Sequence, residues 1–252
     1  SGGECKTDVY VRAKTQESGE EIELKISVKN INREFMGNKL KKQDAEAYLG
    51  PEWENILIEA TTSIRDSFEN RVLMYASGDY PTNPNSVTVG WKLEIADRPR
   101  ALSVPIPLSE RQIRDYVYKG TNQTADKRDS VMNGHIVPNS GVAEYLIITS
   151  IEDIKTANDV IEQMQLIDDT DIGDTYFIFT ANNYRTDVKK ADGSRYLAVR
   201  IEWEVDNSKM VPIFHYDCPL QYTGEKDMAP FVRRALKYLG KINVSDIEPG
   251  VD

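Results

Sequence analysis

Residues 6–30 read KTDVYVRAKTQESGEEIELKISVKN. Val9, Val11 and Ala13 alternate with Asp8, Tyr10, Arg12 and Lys14 on one side of Glu17-Ser18-Gly19-Glu20, and Ile22, Leu24, Ile26 and Val28 alternate with Glu23, Lys25, Ser27 and Lys29 on the other. Period-two alternation on both sides of a polar turn predicts a half-buried β-hairpin with its aliphatic face toward a core. Asp8, Ser27 and Lys29 then share the opposite face. A turn centred near Ser18-Gly19 places Asp8 across from Lys29 rather than Lys25,.

Outward from the hairpin, the pattern mixes helices and strands. A helix is expected from about Lys41 to Leu49, stopped by Gly50-Pro51, and a second from Glu52 to about Phe68, extended to Tyr75 if Val72–Tyr75 joins it,. Trp53, Ile56, Leu57, Ala60 and Ile64 form its apolar stripe,. Val87–Ala96 reads as a strand and Arg98–Pro107 as an irregular link. Ser109 with Gln112 forms a capping box for a helix to about Lys119,. The polar stretch Gly120–Pro138 reads as a long loop or loose hairpin, and Glu144–Thr149 as a buried strand,. Ser150 is expected to cap a helix from Ile151 to about Gln165, ahead of the acidic run Asp168–Asp171. The last third is mostly β: strands at Thr175–Ala181 and Tyr196–Val205, joined through Asn182–Arg195 with a turn at Asp192-Gly193, then Val211–Tyr216,. A helix Ala229–Leu239, ended by Gly240, closes the pattern,. The expected class is α+β: a mixed sheet flanked by helices over residues 1–150, and a β-rich continuation or small subdomain over 151–252.

Composition narrows the function. The 252 residues are 40% hydrophobic and 29% charged, as in ordinary globular proteins,. No apolar run reaches the ~18 residues of a membrane span, so no membrane partner is expected. Cys5 and Cys218 give neither a disulfide framework nor zinc spacing, and a reducing cytoplasm is the expected location,. A net charge of −10 argues against broad nonspecific nucleic-acid binding while leaving room for a local basic cleft,. His135 and His215 stand in unrelated contexts, the Asp168–Asp174 run lacks the glycine and glutamate of a calcium loop, and no phosphate-binding glycine loop is present,.

The lead-in Gly2-Gly3-Glu4-Cys5-Lys6-Thr7-Asp8, followed by a strand, a turn and Ile26-Ser27-Val28-Lys29, resembles the active-site hairpin of the PD-(D/E)xK nuclease superfamily, type II restriction endonucleases in particular. The likeness covers about thirty residues. It implies a restriction endonuclease-like core and a Mg²⁺-dependent endodeoxyribonuclease acting on double-stranded DNA, with a homodimer expected for cutting both strands. Carried over, Asp8 binds Mg²⁺, Val28 lends its carbonyl, Lys29 is the catalytic lysine, and Ser27 stands where the family has its second acid. Thr7 replaces the proline before the acid. The glutamate that often comes from a helix before the hairpin has no counterpart here, which suggests a fragment lacking its upstream helical part. Glu23-Leu24-Lys25 spells the motif literally in an alternative register nearer the turn.

The chemistry fits those residue types. Mg²⁺ is hard and keeps several waters, so one or two carboxylates with a carbonyl and the scissile phosphate suffice, and a lysine supplies transition-state charge. Asn30, Arg33 and Lys39 lie just beyond Lys29 and are candidate phosphate contacts, while Asn183, Arg185 and Lys190 in the Asn182–Arg195 connection are candidates for base edges,. The competing expectation is a noncatalytic DNA- or protein-binding module that retains the hairpin.

Overall fold

The computed structural model describes residues 5–31, 35–132 and 134–247. They form an α+β protein with two main sheets. The chain divides into two compact units interleaved in sequence: residues 1–36, 43–51 and 107–175 form the first, and 37–42, 52–106 and 176–252 the second. The expected boundary at residue 150 therefore lies inside the first unit. No helix among the described residues is long and apolar enough to cross a membrane.

The first unit is built on the hairpin. Strands β1 (Val9–Lys14) and β2 (Glu21–Asn30) pair antiparallel. Helix α1 (Lys42–Leu49) buries Ala45, Ala47, Tyr48 and Leu49. The two strands continue into a four-stranded sheet through β5 (Tyr145–Thr149) and β6 (Gln165–Leu166), in the order β1-β2-β5-β6. β5 runs parallel to β2, with Ile26 beside Tyr145 and Lys29 beside Ile148.

Two expectations for the hairpin are corrected. Its register pairs Val9 with Ile26 and Lys14 with Glu21, because Thr15 N–H bonds the Glu20 carbonyl and centres the turn between Glu17 and Ser18. Continued by one residue, that register puts Asp8 opposite Ser27, not Lys29. An even slip leaves every side chain on its expected face.

Burial also follows a different rule. Val9, Val11 and Ile22 of the supposed core face are 43%, 38% and 42% exposed, whereas consecutive Lys25, Ile26 and Ser27 are all buried. β5 lies alongside only Ile26–Asn30 and β1 pairs only with Glu21–Ile26, so the inner half of β2 is covered by β5 while the outer half projects with β1 as a bare ribbon.

Helical segments pack around this sheet. The Ser109–Gln112 capping box forms, but the helix beyond it is a π-helix, Ile113–Lys119, ended by Gly120 in the left-handed conformation. Arg114 donates to the carbonyls of Ile167 and Thr170, and Tyr118 to that of Ile172, tying this helix to the loop that follows β6. The stretch 120–138 holds a helical turn, Ala125–Arg128, and a two-residue hairpin, Val131–Met132 with His135–Ile136. Ser150 caps only one 3-10 turn, Ile151–Asp153. Helix α3 (Ala157–Gln163) starts later than expected because Thr156 and Asp159 close a reciprocal capping box, satisfying two otherwise orphaned N–H groups.

The second unit has a larger antiparallel sheet. Its strands are β3 (Ser86–Ala96), β4 (Ser103–Pro105), β7 (Tyr176–Arg185), β8 (Lys190–Ala191), β9 (Val199–Asp206) and β10 (Lys209–His215), with the path β8-β7-β3-β9-β10 and β4 alongside β7. Helix α2 (Trp53–Ser63) ends at Ile64, and a short helix, Arg65–Glu69, follows it. Helix α4 (Ala229–Tyr238) lies against β9.

Three features correct the expected layout of this unit. Met74–Tyr75 is a strand paired with β3 rather than a helical extension. The Arg98–Pro107 link contains β4. β7 runs four residues beyond Ala181, passing a bulge at Asn182/Asn183, so the chain reverses before Lys190 and not at Asp192-Gly193.

Phe68 is fully buried against Trp91 and Phe179, with ring centroids 4.8 and 5.3 Å away. Each such ring pair adds about 0.5–1.5 kcal/mol beyond area burial. Trp203 donates its indole N–H to the Thr88 carbonyl at 2.9 Å, so the core closes without stranding that donor,.

Candidate functional site

The lead-in is held by backbone. The N–H groups of Lys6 and Thr7 both donate to the Gly141 carbonyl, at 3.0 and 3.2 Å, and Gly141 N–H donates to Arg128. A Cβ on Gly141 would stand 1.8 Å from the Lys127 carbonyl oxygen, so only glycine admits this approach. At Gly120 the aliphatic stem of Lys6 occupies the place of a side chain: a Cβ there would meet Lys6 Cγ at 2.5 Å.

Asp8 follows at the open end of β1. Its N–H donates to the Ile26 carbonyl, and its carboxylate turns back onto β2. Oδ2 accepts from Val28 N–H at 2.7 Å and from the Ser27 hydroxyl at 3.2 Å. Oδ1 accepts no hydrogen bond among the described residues, and Asp8 is exposed. Within an extended strand the N–H and C=O of one residue leave the same edge, so the Val28 carbonyl is directed to the side that Asp8 occupies. Lys29 follows, half-buried, on the face shared with Asp8 and Ser27.

Beside this hairpin end is a polar cluster that sequence reasoning did not assemble. The Lys6 ammonium is buried and donates to Tyr48 Oη at 2.8 Å and to the Met36 carbonyl at 3.3 Å. Burial draws its pKa down to about 8, the Asp8 carboxylate opposing and Lys127 reinforcing the shift. Burial likewise pushes the Tyr48 hydroxyl up to about 12, with Lys29 and Lys127 pulling it down and Asp44 pushing it up. Lys127 Nζ stands 3.6 Å from Asp44 Oδ1, both side chains largely buried. Tyr48 is thus the hub on which Lys6, Lys29, Lys127 and Asp44 act. Lys6 stood in the quoted motif without a role. Tyr48, Asp44 and Lys127 carry no local signal, because close packing at Gly120 and Gly141 and the Asn122 hydrogen bond to the Glu46 carbonyl bring residues near 6, 46 and 127 together.

The remaining candidates separate. Glu23 is exposed and level with Arg12, and its carboxylate accepts from the Tyr10 hydroxyl. It stands four residues, about 13 Å, from the level of Asp8. Lys25 of that alternative motif is buried and paired with Glu144 at 2.7 Å. Asn30 is exposed at the end of β2, and Arg33 lies outside the described residues. Lys39, Asn183, Arg185 and Lys190 belong to the second unit. Asn183 does not reach out to a groove: the bulge turns it inward, where its Oδ1 accepts from Thr88 and its N–H donates to Asp192. Arg185 and Lys190 face each other at the tip of the β7–β8 hairpin.

The donor set at the hairpin is hard oxygen: an exposed carboxylate oxygen and a strand carbonyl, beside several ammonium groups. That suits Mg²⁺, which holds most of its waters and leans on substrate phosphate. Among the described residues no three His, Cys, Asp or Glu side chains gather closely enough to hold a metal by themselves. No protein-family model, no curated protein and no solved structure matches the chain.

Proposed function

We propose that the protein is a Mg²⁺-dependent endodeoxyribonuclease of restriction type, hydrolysing phosphodiester bonds of double-stranded DNA at the open end of the β1–β2 hairpin. The observation carrying this reading is the junction of Asp8 with Ser27-Val28-Lys29, a carboxylate bonded to the backbone that leads directly into a lysine. In this reading the fold is a restriction endonuclease-like core and the working form is a homodimer.

Asp8 Oδ1 and the Val28 carbonyl would hold the metal, while Val28 N–H and the Ser27 hydroxyl fix the carboxylate's other oxygen. Bound there, Mg²⁺ would neutralise charge on the phosphate and acidify a coordinated water. Lys29 would place its ammonium against the scissile phosphate or the attacking water, and Lys6, locked on Tyr48, would add fixed positive charge behind it. Ser27 supports a second reading, a noncatalytic DNA- or protein-binding module. Its hydroxyl is a hydrogen-bond donor to Asp8 where a second acid would contribute a negative charge.

Cleavage of supercoiled plasmid, with Mg²⁺ or with EDTA, separates the two. Wild type should cut only with metal, and Asp8→Ala and Lys29→Ala should each lose at least about a hundredfold in rate, the scale of an electrostatic catalytic group. Metal-independent cutting, or wild-type rates in both variants, refutes the assignment. Absence of cutting by a folded wild type moves the reading to the binding module.

A further inference from the structure

The second unit carries a basic cleft that the hairpin chemistry leaves unused. Segments 184–190 and 233–242 contain seven Lys or Arg and one acid, Asp187, in a chain of net charge −10. They meet at a cavity of about 360 Å³ lined by Tyr184, Leu236, Lys189, Arg233, Lys237 and Lys241 among others. Tyr184 and Leu236 are buried and form an apolar floor, and the four cations are exposed around it. Arg233 spreads its guanidinium over the Tyr184 ring, 5.6 Å from the centroid. Asp246 lies close enough to Lys241 to feel its charge, but its carboxylate is committed to the N–H groups of Ile242 and Asn243.

Arg233 and Lys237 stand four residues apart on one side of α4, and Lys241 follows just past its end, beyond Gly240 in the left-handed conformation,. Like charges at that spacing repel, and the C-terminal dipole of α4 offsets only part of the cost. Lys189, in the left-handed conformation at φ 55°, brings a fourth cation from a separate element. A low-dielectric floor under four converging cations concentrates positive potential. Four cations from two elements exceed what a single phosphate needs and suit successive phosphates of a strand, which lie roughly 3.4 Å apart along the duplex axis.

From this arrangement we infer that the cleft between the β7–β8 hairpin and the C-terminal end of α4 binds the phosphate backbone of a nucleic acid. This goes beyond the hairpin reading and holds whether or not the hairpin cuts. The contacts are to phosphate, so they position a duplex without reading its sequence.

The test is fluorescence anisotropy of a labelled duplex of about 20 base pairs with the full chain in EDTA, over about 50–200 mM salt. The wild type is compared with Arg233→Ala/Lys237→Ala/Lys241→Ala, with Lys189→Glu from the other element, and with Lys209→Ala as a cation outside the cleft. Circular dichroism checks that each variant is folded. The triple variant should lose at least about tenfold in affinity, and its log–log salt slope should fall by about 2.7, three contacts at about 0.9 each. Lys189→Glu should weaken binding in the same direction, and Lys209→Ala should match the wild type. Unchanged affinity and slope in the triple variant and Lys189→Glu overturn the inference. So does a wild type that ignores the duplex, whether or not it binds anionic lipid vesicles or inorganic phosphate. Plasmid cutting reads a different quantity: DNA held through the cleft but left uncut would sink the nuclease proposal and uphold this one.

Discussion

Substituting Met for Lys6 keeps an unbranched stem against Gly120 and removes a buried ammonium. In the folded protein that ammonium titrates at about 8, against 10.5 for an ordinary lysine. At about 1.36 kcal/mol per unit, the difference is worth ~3 kcal/mol. The sign follows from proton counting. Between those two values the unfolded chain holds a proton that the folded chain has released, so stability rises with pH across this window. Below about pH 8 both states are protonated and the full cost of burying the charge is present; above 10.5 that cost is gone. Tyr48, raised to about 12, stays protonated throughout and keeps its hydrogen bond to the Met36 carbonyl. Urea unfolding of wild type and Lys6→Met, followed by far-UV circular dichroism between about pH 7 and pH 10.5, measures the effect, since other titrating groups cancel in the difference. The wild-type stability should gain ~3 kcal/mol on the variant over that range. Curves that stay parallel within about 0.5 kcal/mol would show that Lys6 does not carry a buried charge, and would remove it from the cluster around Tyr48.

Gly141→Ala should cost about 3 kcal/mol or more, because its Cβ would strike a backbone carbonyl that cannot rotate away,; chemical unfolding checks this, and a cost below about 0.5 kcal/mol refutes the close approach. Ser27→Asp replaces a donor to Asp8 by a second carboxylate. Without metal it should lower the melting temperature through like-charge repulsion. Added Mg²⁺ should restore it and raise it with concentration if the pair binds the ion. A thermal melt indifferent to Mg²⁺ would count against a metal site at this level.

The sequence carried more of the local structure than of its assembly. The alternation of residues 9–14 and 21–30 is enough for two strands, and the Ser109/Gln112 box marks a helix start that forms as written. The register was off by two residues because the closing hydrogen bond between Thr15 and Glu20, not the glycine, centres the turn. Burial was misread because an aliphatic face is buried only where a neighbouring element covers it, and β5 reaches just the inner half of β2. Asn182 and Asn183 looked like loop residues; pairing with β3 and a bulge absorbed them into a strand. The site was half readable. Asp8, Ser27 and Lys29 sit in one local motif, whereas Lys6, Tyr48, Asp44 and Lys127 meet only through tertiary packing, which no spacing rule encodes.

The parallel pairing of β2 with β5 also imposes an order in time. Ser27 and Lys29 lie beside Leu146 and Ile148, which are made about 120 residues later, and the lead-in to Asp8 rests on Gly120 and Gly141. At about 5–20 residues per second, a ribosome exposes the hairpin for roughly 6–24 s before its neighbours exist. During that interval a nascent chain carries every residue of the motif without the surroundings that fix their geometry. Any chemistry at the hairpin is thereby deferred until residues near Ile148 have been translated.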